Sequence, residues 1–362
     1  MKFKYILVVA IVLASFCFSI FLSRYTYHSD FAVFYHAANI ILDPDTPNTS
    51  VYEIDTSNRY LMPEAMGDNH VFVYSMAVAY IMAPIALMSY YKAKSAMIFL
   101  NILLYLLAII ITLKIGEATA GRWFNYPLAL LCLWPPFIQN LRQGQVNAIL
   151  LFLITIAVLA AVKNRPTLCG IFLAFATLFK LFPIAIAMVL GIKNWRIFVS
   201  CIVCFGASLL IPGSLKWFQA ISKIYPAYNP IYLWLKQLGL GYFAVYVVVI
   251  AGLTAIVAYR TQVANYPLLT SLAIPAVFLT MPIVEYNHLT VLPFSYACLI
   301  SFLKTSNRLL LTCMSLSFIL ISMPFFIVAS MNTKVFAFFG LIVLWVGLVS
   351  YLFVTPSVRI KS

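Results

Sequence analysis

The chain has 362 residues, of which 64% are hydrophobic and 9% charged, and its formal net charge is +14. A soluble domain is about half apolar and about a quarter charged, so this composition excludes an ordinary soluble protein and indicates an integral membrane protein. The 23 basic residues are scattered among apolar segments and form no dense patch, which argues against a nucleic-acid partner.

Apolar segments recur along the whole chain, and about twelve of them are predicted to cross the membrane as helices. The first segment is not followed by the small residues that form a signal-peptidase cleavage site, and it is predicted to remain as an uncleaved transmembrane helix. We therefore expect an all-α polytopic membrane protein with a single integral membrane domain over residues 1–362. The predicted segments are 3–22, 71–90, 96–113, 124–140, 146–162, 168–190, 197–211, 241–259, 266–284, 289–303, 309–329 and 335–354.

Lysine and arginine residues beside the predicted helix ends set the expected orientation through the positive-inside rule. If the segments alternate, most of these residues fall on one side, which is assigned to the cytoplasm together with both chain termini. The protein is expected in the plasma (inner) membrane, with the long loop over residues 23–70 facing outward. Arg142, Lys163 and Arg165 break this pattern, so the topology of residues 115–196 is left open.

The outward loop 23–70 contains seven of the nine acidic residues and is too long for a simple connection, so we expect it to carry function. It begins with an apolar repeat typical of a helix at the membrane surface, with Ser29 as N-cap and Asp30 in the first turn. Asp30 either complements the helix dipole or accepts a proton from a hydroxyl during group transfer. The residue pattern alone favours the dipole. The acidic pairs later in the loop match no calcium-binding spacing, and no metal site is predicted.

Polar side chains also occur at predicted membrane depth. The stretch 134–147 contains Arg142, Gln145 and Asn147, and it is expected either to line a cavity or to bond neighbouring helices. Lys180 interrupts a later apolar segment, where it either reaches an interface or binds an anion inside the membrane.

Two further outward regions carry candidate residues. The loop 213–240 contains three lysines and no acid, which suits a phosphate group. Glu285 and His288 stand together at an outward helix end, where an acid beside a histidine is a candidate catalytic or binding pair.

Taken in order, these segments resemble the family-87 glycosyltransferases, polyprenyl-phosphate-sugar-dependent enzymes of the GT-C superfold. The resemblance covers roughly residues 1–300. The chain lacks the two prolines that the family carries after the position of Tyr74, and it has Met-Pro instead of Ser-Pro in the turn before the histidine. The matching residues are Asp30-Phe31 with Phe34-Tyr35, Phe72-Val73-Tyr74, the box Gly144-Gln145-Val146-Asn147, Lys180 followed by Pro183, and His288.

The resemblance implies a GT-C-like helical bundle and an inverting transfer of a hexose, with mannose suggested by the family's phosphatidylinositol mannoside enzymes. The donor would be a polyprenyl-phosphate-linked sugar and the acceptor a lipid or glycan at the outer face, with no cofactor and no metal. Asp30 would act as the general base and His288 would bind the phosphate or orient the sugar. The remaining donor-binding residues would be Tyr74, Arg142, Gln145, Asn147, Lys180 and Glu285.

Two other functions fit parts of the sequence. A lipid or solute transporter or flippase without covalent chemistry would suit broken helices and intramembrane cations. That alternative predicts inverted repeats, which the sequence does not display, and leaves the acidic loop unexplained. A polysaccharide polymerase is the third possibility, although its large outward loop usually comes later in the chain.

Overall fold

A computed structural model of the chain describes Cys17, Phe21 and residues 29–52, 72–120, 134–222, 229–261, 265–302, 308–326 and 331–354. These ranges are mostly helical and contain no strand, which confirms the all-α prediction. Short 3-10 helices occur at Asn48–Tyr52, Ala83–Leu87 and Tyr286–Val291. The α-helices are α1 Ser29–Leu42, α2 Met76–Met82, α3 Tyr90–Ala120, α4 Pro135–Gln143, α5 Asn147–Val162, α6 Pro166–Phe179, α7 Pro183–Gly191, α8 Trp195–Ser208, α9 Ser214–Ser222, α10 Pro230–Leu238, α11 Leu240–Arg260, α12 Tyr266–Thr280, α13 Pro293–Phe302, α14 Arg308–Phe326 and α15 Met331–Val354.

Within the described ranges, three helices are long and apolar enough to cross a membrane: Tyr90–Ile115, Leu240–Arg260 and Val335–Val354. The chain is therefore a membrane protein, as its composition predicted. Several other predicted spans appear as apolar helices of 10–17 residues, so the count of about twelve and the GT-C-like arrangement stay predictions. The predicted first span, 3–22, lies outside the described residues apart from Cys17 and Phe21.

The predicted span 168–190 is two helices, α6 and α7, separated by residues 180–182. Lys180 has extended backbone (φ −150°, ψ 139°) and ends α6. Pro183 accounts for the break, because in a continuous helix it has no N–H to donate to the Phe179 carbonyl and its ring would clash with that group.

The predicted span 71–90 does not form one long helix. α2 ends after 7 residues and continues as the 3-10 helix Ala83–Leu87, with Pro84 near its start. This segment packs along its length against residues 29–52, the beginning of the loop predicted to lie outside the membrane. The contacts are Phe34 with Tyr74 (ring centroids 4.5 Å apart), Asn48 Nδ2 donating to Tyr80 Oη (2.8 Å), Tyr35 Oη donating to the Met88 carbonyl (2.8 Å), and Phe31 with Tyr90 (5.5 Å).

These contacts place both ends of the segment 71–90 beside α1, and the segment is two short helices where one continuous helix was predicted. Its crossing of the bilayer stays a prediction. Hydropathy does not decide between the two placements, because a helix buried in protein is as apolar as one in lipid. α1 itself is confirmed as a helix, but residues 31–38 are buried on every side. The prediction of an amphipathic helix is therefore wrong for these residues, since even the polar His36 is buried, whereas its place at the membrane surface stays a prediction.

Glycines set the closest approaches between the remaining helices. A Cβ atom at Gly170 of α6 would lie 1.9 Å from Ser200 Oγ and 2.3 Å from the Ile197 carbonyl oxygen on α8. At Gly340 of α15 a Cβ atom would lie 2.7 Å from Ile321 Cγ1 and 3.0 Å from the Ser317 carbonyl oxygen on α14. Small residues at such crossings allow helices to pack backbone to backbone, which is a common source of cohesion between helices in lipid.

Candidate active site

Residues from four distant parts of the sequence meet at one end of the bundle. Asp30 lies in the first turn of α1, Tyr74 precedes α2, Lys180 occupies the break between α6 and α7, and Glu285 precedes the 3-10 helix Tyr286–Val291. The charges of Asp30 and Glu285 both act on the Lys180 ammonium group, and both act on the Tyr74 hydroxyl. This convergence defines the candidate active site.

α1 and the helix break hold the first three of these residues. Phe34, one turn after Asp30, packs on the Tyr74 ring, so α1 and the segment before α2 are fixed to each other. The Ser75 N–H donates to the Leu178 carbonyl at 3.4 Å, which ties that segment to the end of α6 just before Lys180. Asp30 and Lys180 are both half-buried. Asp30 has the favourable position at the helix N-terminus that the dipole interpretation expected.

Glu285 and His288 form a reciprocal cap on the 3-10 helix. The Glu285 side chain accepts the His288 backbone N–H, and His288 Nδ1 accepts the Glu285 backbone N–H at 3.3 Å. His288 Nε2 lies 3.8 Å from Glu285 Oε2. Burial, with a smaller contribution from Lys180, lowers the pKa of His288 well below its ordinary value. The histidine is therefore neutral at neutral pH, and because Nδ1 accepts, Nε2 carries the proton and can donate.

The polar stretch 134–147 forms hydrogen bonds between helices, and two of its residues reach the site. Gln145 Oε1 accepts from Tyr74 Oη at 3.1 Å. Asn147 Nδ2 donates to Asn287 Oδ1 at 3.0 Å, and Asn147 Oδ1 has no hydrogen-bond partner among the described residues. Of the two interpretations left open for this stretch, bonding between helices describes most of it, and the site lies at its end.

Sequence reasoning missed several polar residues that support the site. Asn287 Nδ2 donates to Glu285 Oε2 at 2.9 Å and also to Gln143 Oε1. Asn140 Oδ1 accepts the Asn147 backbone N–H at 3.0 Å. Only its position between Glu285 and His288, the two residues predicted at that helix end, could have pointed to Asn287.

Arg142 is the predicted site residue that the structure does not bring into this cluster. It lies in the last turn of α4, and its side chain is exposed. Its neighbour Gln143 contacts Asn287, so Arg142 lies at the edge of the site.

The predicted loop 213–240 contains α9 and α10, and it is anchored on both sides of the site. Trp217 Nε1 of α9 donates to the Val73 carbonyl at 2.8 Å, next to Tyr74. Asn229 caps α10 and donates to the Met281 carbonyl, four residues before Glu285. Of its lysines, Lys236 is exposed and Lys216 half-buried, whereas Lys223 lies outside the described residues. Across the part of the chain that the structure describes, no group of three or more His, Cys, Asp or Glu side chains gathers as metal ligands do.

Comparison with known proteins identifies the class of molecule to which this site belongs. The model of glycosyltransferase family 87 matches residues 72–282, which is more than half of the chain. The chain belongs to glycosyltransferase family 87, and it is a membrane glycosyltransferase. No curated protein matches it. The chain is similar to the crystal structure of ArnT from Cupriavidus metallidurans bound to undecaprenyl phosphate. The two sequences are 12% identical, the alignment covers 99% of this chain and 78% of that chain, and the TM-score is 0.46.

Family membership favours the transferase over the transporter without covalent chemistry. The family match begins at Phe72 and ends at Pro282. Asp30, Glu285 and His288 therefore lie outside the matched range, and their place in the site rests on the contacts described above.

Proposed function

We propose that this glycosyltransferase transfers a hexose, with mannose as the first candidate, from a polyprenyl-phosphate donor to a hydroxyl of a lipid or glycan acceptor. The observation that carries the proposal is the convergence of Asp30, Lys180 and the Glu285–His288 cap at one end of an apolar bundle. A carboxylate for the acceptor hydroxyl and a cation for the leaving phosphate are the two groups that such a transfer requires.

In the proposed reaction Asp30 acts as general base. Its carboxylate takes the proton from the acceptor hydroxyl, and the hydroxyl oxygen attacks the anomeric carbon from the face opposite the phosphate. The bond between the anomeric carbon and the phosphate oxygen breaks, and its electron pair leaves with the polyprenyl phosphate. One such displacement inverts the configuration at the anomeric carbon.

The leaving phosphate needs only charge stabilisation, because phosphate is already a good leaving group. Lys180 is the central cation and would form a charge-assisted contact with it. Arg142 and Lys236, both exposed, would contribute from the edge of the site. His288 would donate from Nε2 to a phosphate or sugar oxygen, and the Tyr74, Gln145 and Asn147 side chains would bind the sugar.

A transfer assay tests the proposal directly. Membranes containing the protein are incubated with radiolabelled polyprenyl-phosphate mannose, glucose or galactose and with extracted membrane lipids. We expect label to move into an acceptor from at least one donor, and nuclear magnetic resonance of the product to give the anomer opposite to that of the donor. Retention of the donor's anomeric configuration would contradict the single displacement with Asp30 as base. Label transferred only from nucleotide sugars would contradict the donor class.

A further inference from the structure

We propose that Asn287 is a positioning residue that holds the Glu285 carboxylate away from Lys180 and so keeps the ammonium group available for the donor phosphate. The inference rests on the proposed function of Lys180. Asn287 is buried, with 1% of its surface exposed, and each of its polar atoms is engaged. Nδ2 donates to Glu285 Oε2 at 2.9 Å and to Gln143 Oε1, and Oδ1 accepts from Asn147 Nδ2 at 3.0 Å.

These three hydrogen bonds allow only one orientation of the Asn287 amide. Turning it over would place Oδ1 against the oxygens of Glu285 and Gln143, and would place its NH2 group against the NH2 group of Asn147. Buried groups that face a like partner lose their hydrogen bonds without any compensation from water. The amide is therefore fixed with its donor side towards Glu285.

Asn287 stands at the end of a hydrogen-bonded chain of asparagines, Asn101, Asn140, Asn147 and Asn287, which we call the amide relay and which anchors the backbone of Asn147 beside it. Asn101 Nδ2 donates to the Met97 carbonyl one turn earlier in α3, at 2.9 Å. Asn101 Oδ1 is thereby left to accept from Asn140 Nδ2 at 3.3 Å, and Asn140 Oδ1 accepts the Asn147 backbone N–H at 3.0 Å. Each member is at most 1% exposed, so water does not compete for these bonds.

The orientation of Asn287 matters because the site contains two carboxylates close to one ammonium group. Glu285 acts on the charge of Lys180, yet its carboxylate accepts hydrogen bonds from Asn287 Nδ2 and from the His288 backbone N–H. A carboxylate freed from Asn287 can turn towards Lys180 and form an ion pair with it. That ion pair would compete with the phosphate of the donor for the same cation.

The test is a cycle of variants read by binding of polyprenyl phosphate, without sugar, to the purified protein. Asn287→Leu is nearly isosteric and removes the side-chain hydrogen bond that holds the Glu285 carboxylate, leaving the bond from the His288 backbone N–H. Loss of a hydrogen bond to a charged group corresponds to roughly a 10–150-fold change in an equilibrium constant. We expect Asn287→Leu to raise the Kd by about 10-fold or more in the wild-type background. In the Glu285→Gln background, which has no competing charge, we expect Asn287→Leu to change the Kd by less than about 2-fold.

A role limited to folding gives the same loss in both backgrounds, and that result would overturn the proposal, as would an unchanged Kd in Asn287→Leu. A wild-type protein that does not bind polyprenyl phosphate also overturns it, because Lys180 is then no phosphate site. If the protein binds polyprenyl phosphate but transfers no sugar, the proposed function is contradicted. The Kd values of the variants then still test whether Asn287 positions Glu285.

Asn287→Leu leaves Asn147 without its acceptor, so a second variant serves if the first does not fold. Asn287→Asp keeps that acceptor and repels Glu285, and it should weaken binding at least as strongly. Asn265→Asp is the matched control, because Asn265 is equally buried and caps α12 through an oxygen that aspartate retains. We expect its Kd to equal that of the wild type.

Discussion

At the scale of single residues, the site combines Asp30 and Glu285 with Lys180 at its centre, while its other cations lie at the edge. With His288 neutral, the centre has one more negative than positive charge. An anionic donor therefore depends strongly on Lys180, because removing that cation leaves two carboxylates facing the phosphate.

Lys180→Met should weaken use of a limiting donor by about 10–150-fold, which corresponds to the loss of one charge-assisted contact. Arg142→Met should have a smaller effect, because an exposed charge is screened by water and salt. The measurement is kcat/KM for the donor in purified protein, with Lys163→Met as a control for the loss of an exposed lysine. Equal rates for Lys180→Met and the wild type would remove Lys180 from the phosphate site.

The lowered pKa of His288 makes stability depend on pH in a defined direction. The unfolded chain binds a proton at this residue below about pH 6.5, whereas the folded protein keeps it neutral, so acid favours unfolding. Each pH unit below that value should cost up to about 1.4 kcal/mol while the folded histidine stays neutral. Melting temperatures measured in detergent from pH 8 to pH 5 should therefore fall more steeply for the wild type than for His288→Gln. Parallel curves would show that the folded histidine takes up a proton freely.

Residue chemistry and order along the chain were enough to select most of the residues that the structure brings together in the candidate site. Asp30, Lys180, Glu285 and His288 are unusual in an apolar chain, and this made them visible before the fold was known. Asn287 was missed because an asparagine beside two charged candidates carries no signal of its own. Its importance comes from partners about 140 positions away, which only the packing of α4 and α5 against the 3-10 helix brings near.

At the scale of helices, the sequence predicted α5, α11, α12 and α15 within a few residues of their bounds, because each is a long apolar run between polar ends. At the segment 71–90 it predicted one helix where the structure has two short ones, and apolar composition does not distinguish contact with lipid from contact with α1. The sequence also did not predict where helices cross, because a glycine in an apolar segment does not reveal which helix it faces.

Gly170 gives the sharpest test of a helix crossing. Gly170→Ala places a methyl group 2.3 Å from the Ile197 carbonyl oxygen, a backbone atom that cannot move without separating α6 from α8. We expect a clear loss of melting temperature and of folded protein recovered in detergent. Gly252→Ala on α11 meets nothing within 4 Å and should be neutral or stabilise by about 0.5–1 kcal/mol. A Gly170→Ala variant as stable as Gly252→Ala would contradict the packing of these helices.

At the scale of the whole molecule, the packing of residues 71–90 against α1 changes the expected topology. If this segment stays on the outward side, every segment from α3 to α6 reverses its direction relative to the prediction from charge alternation. Lys163 and Arg165 then face the cytoplasm, as the positive-inside rule expects, whereas Lys92, Lys94 and Arg142 face outward beside the site. We propose this revised topology, in which all of the site residues lie at the outward end.

Cysteine labelling in intact cells separates the two topologies. Lys92→Cys should react with an impermeant maleimide without lysis, as should Asn48→Cys, because both lie at the end that carries α1. Lys163→Cys should react only after lysis. The original alternation expects the reverse at Lys92 and Lys163, and labelling in that sense would show that residues 71–90 cross the membrane after all.

The central claim is that Asp30 is the general base, and a pair of isosteric substitutions in the same segment tests it most directly. Asp30→Asn keeps the size of the side chain but cannot take a proton, whereas Asp45→Asn removes an exposed carboxylate from the same region. With labelled donor and matched amounts of folded protein, Asp30→Asn should lower kcat by about 10²–10⁴-fold, and Asp45→Asn should leave it unchanged. If Asp30 only complements the helix dipole, its loss costs about 0.3–1 kcal/mol of local stability and kcat stays near the wild-type value. That second result would contradict the account.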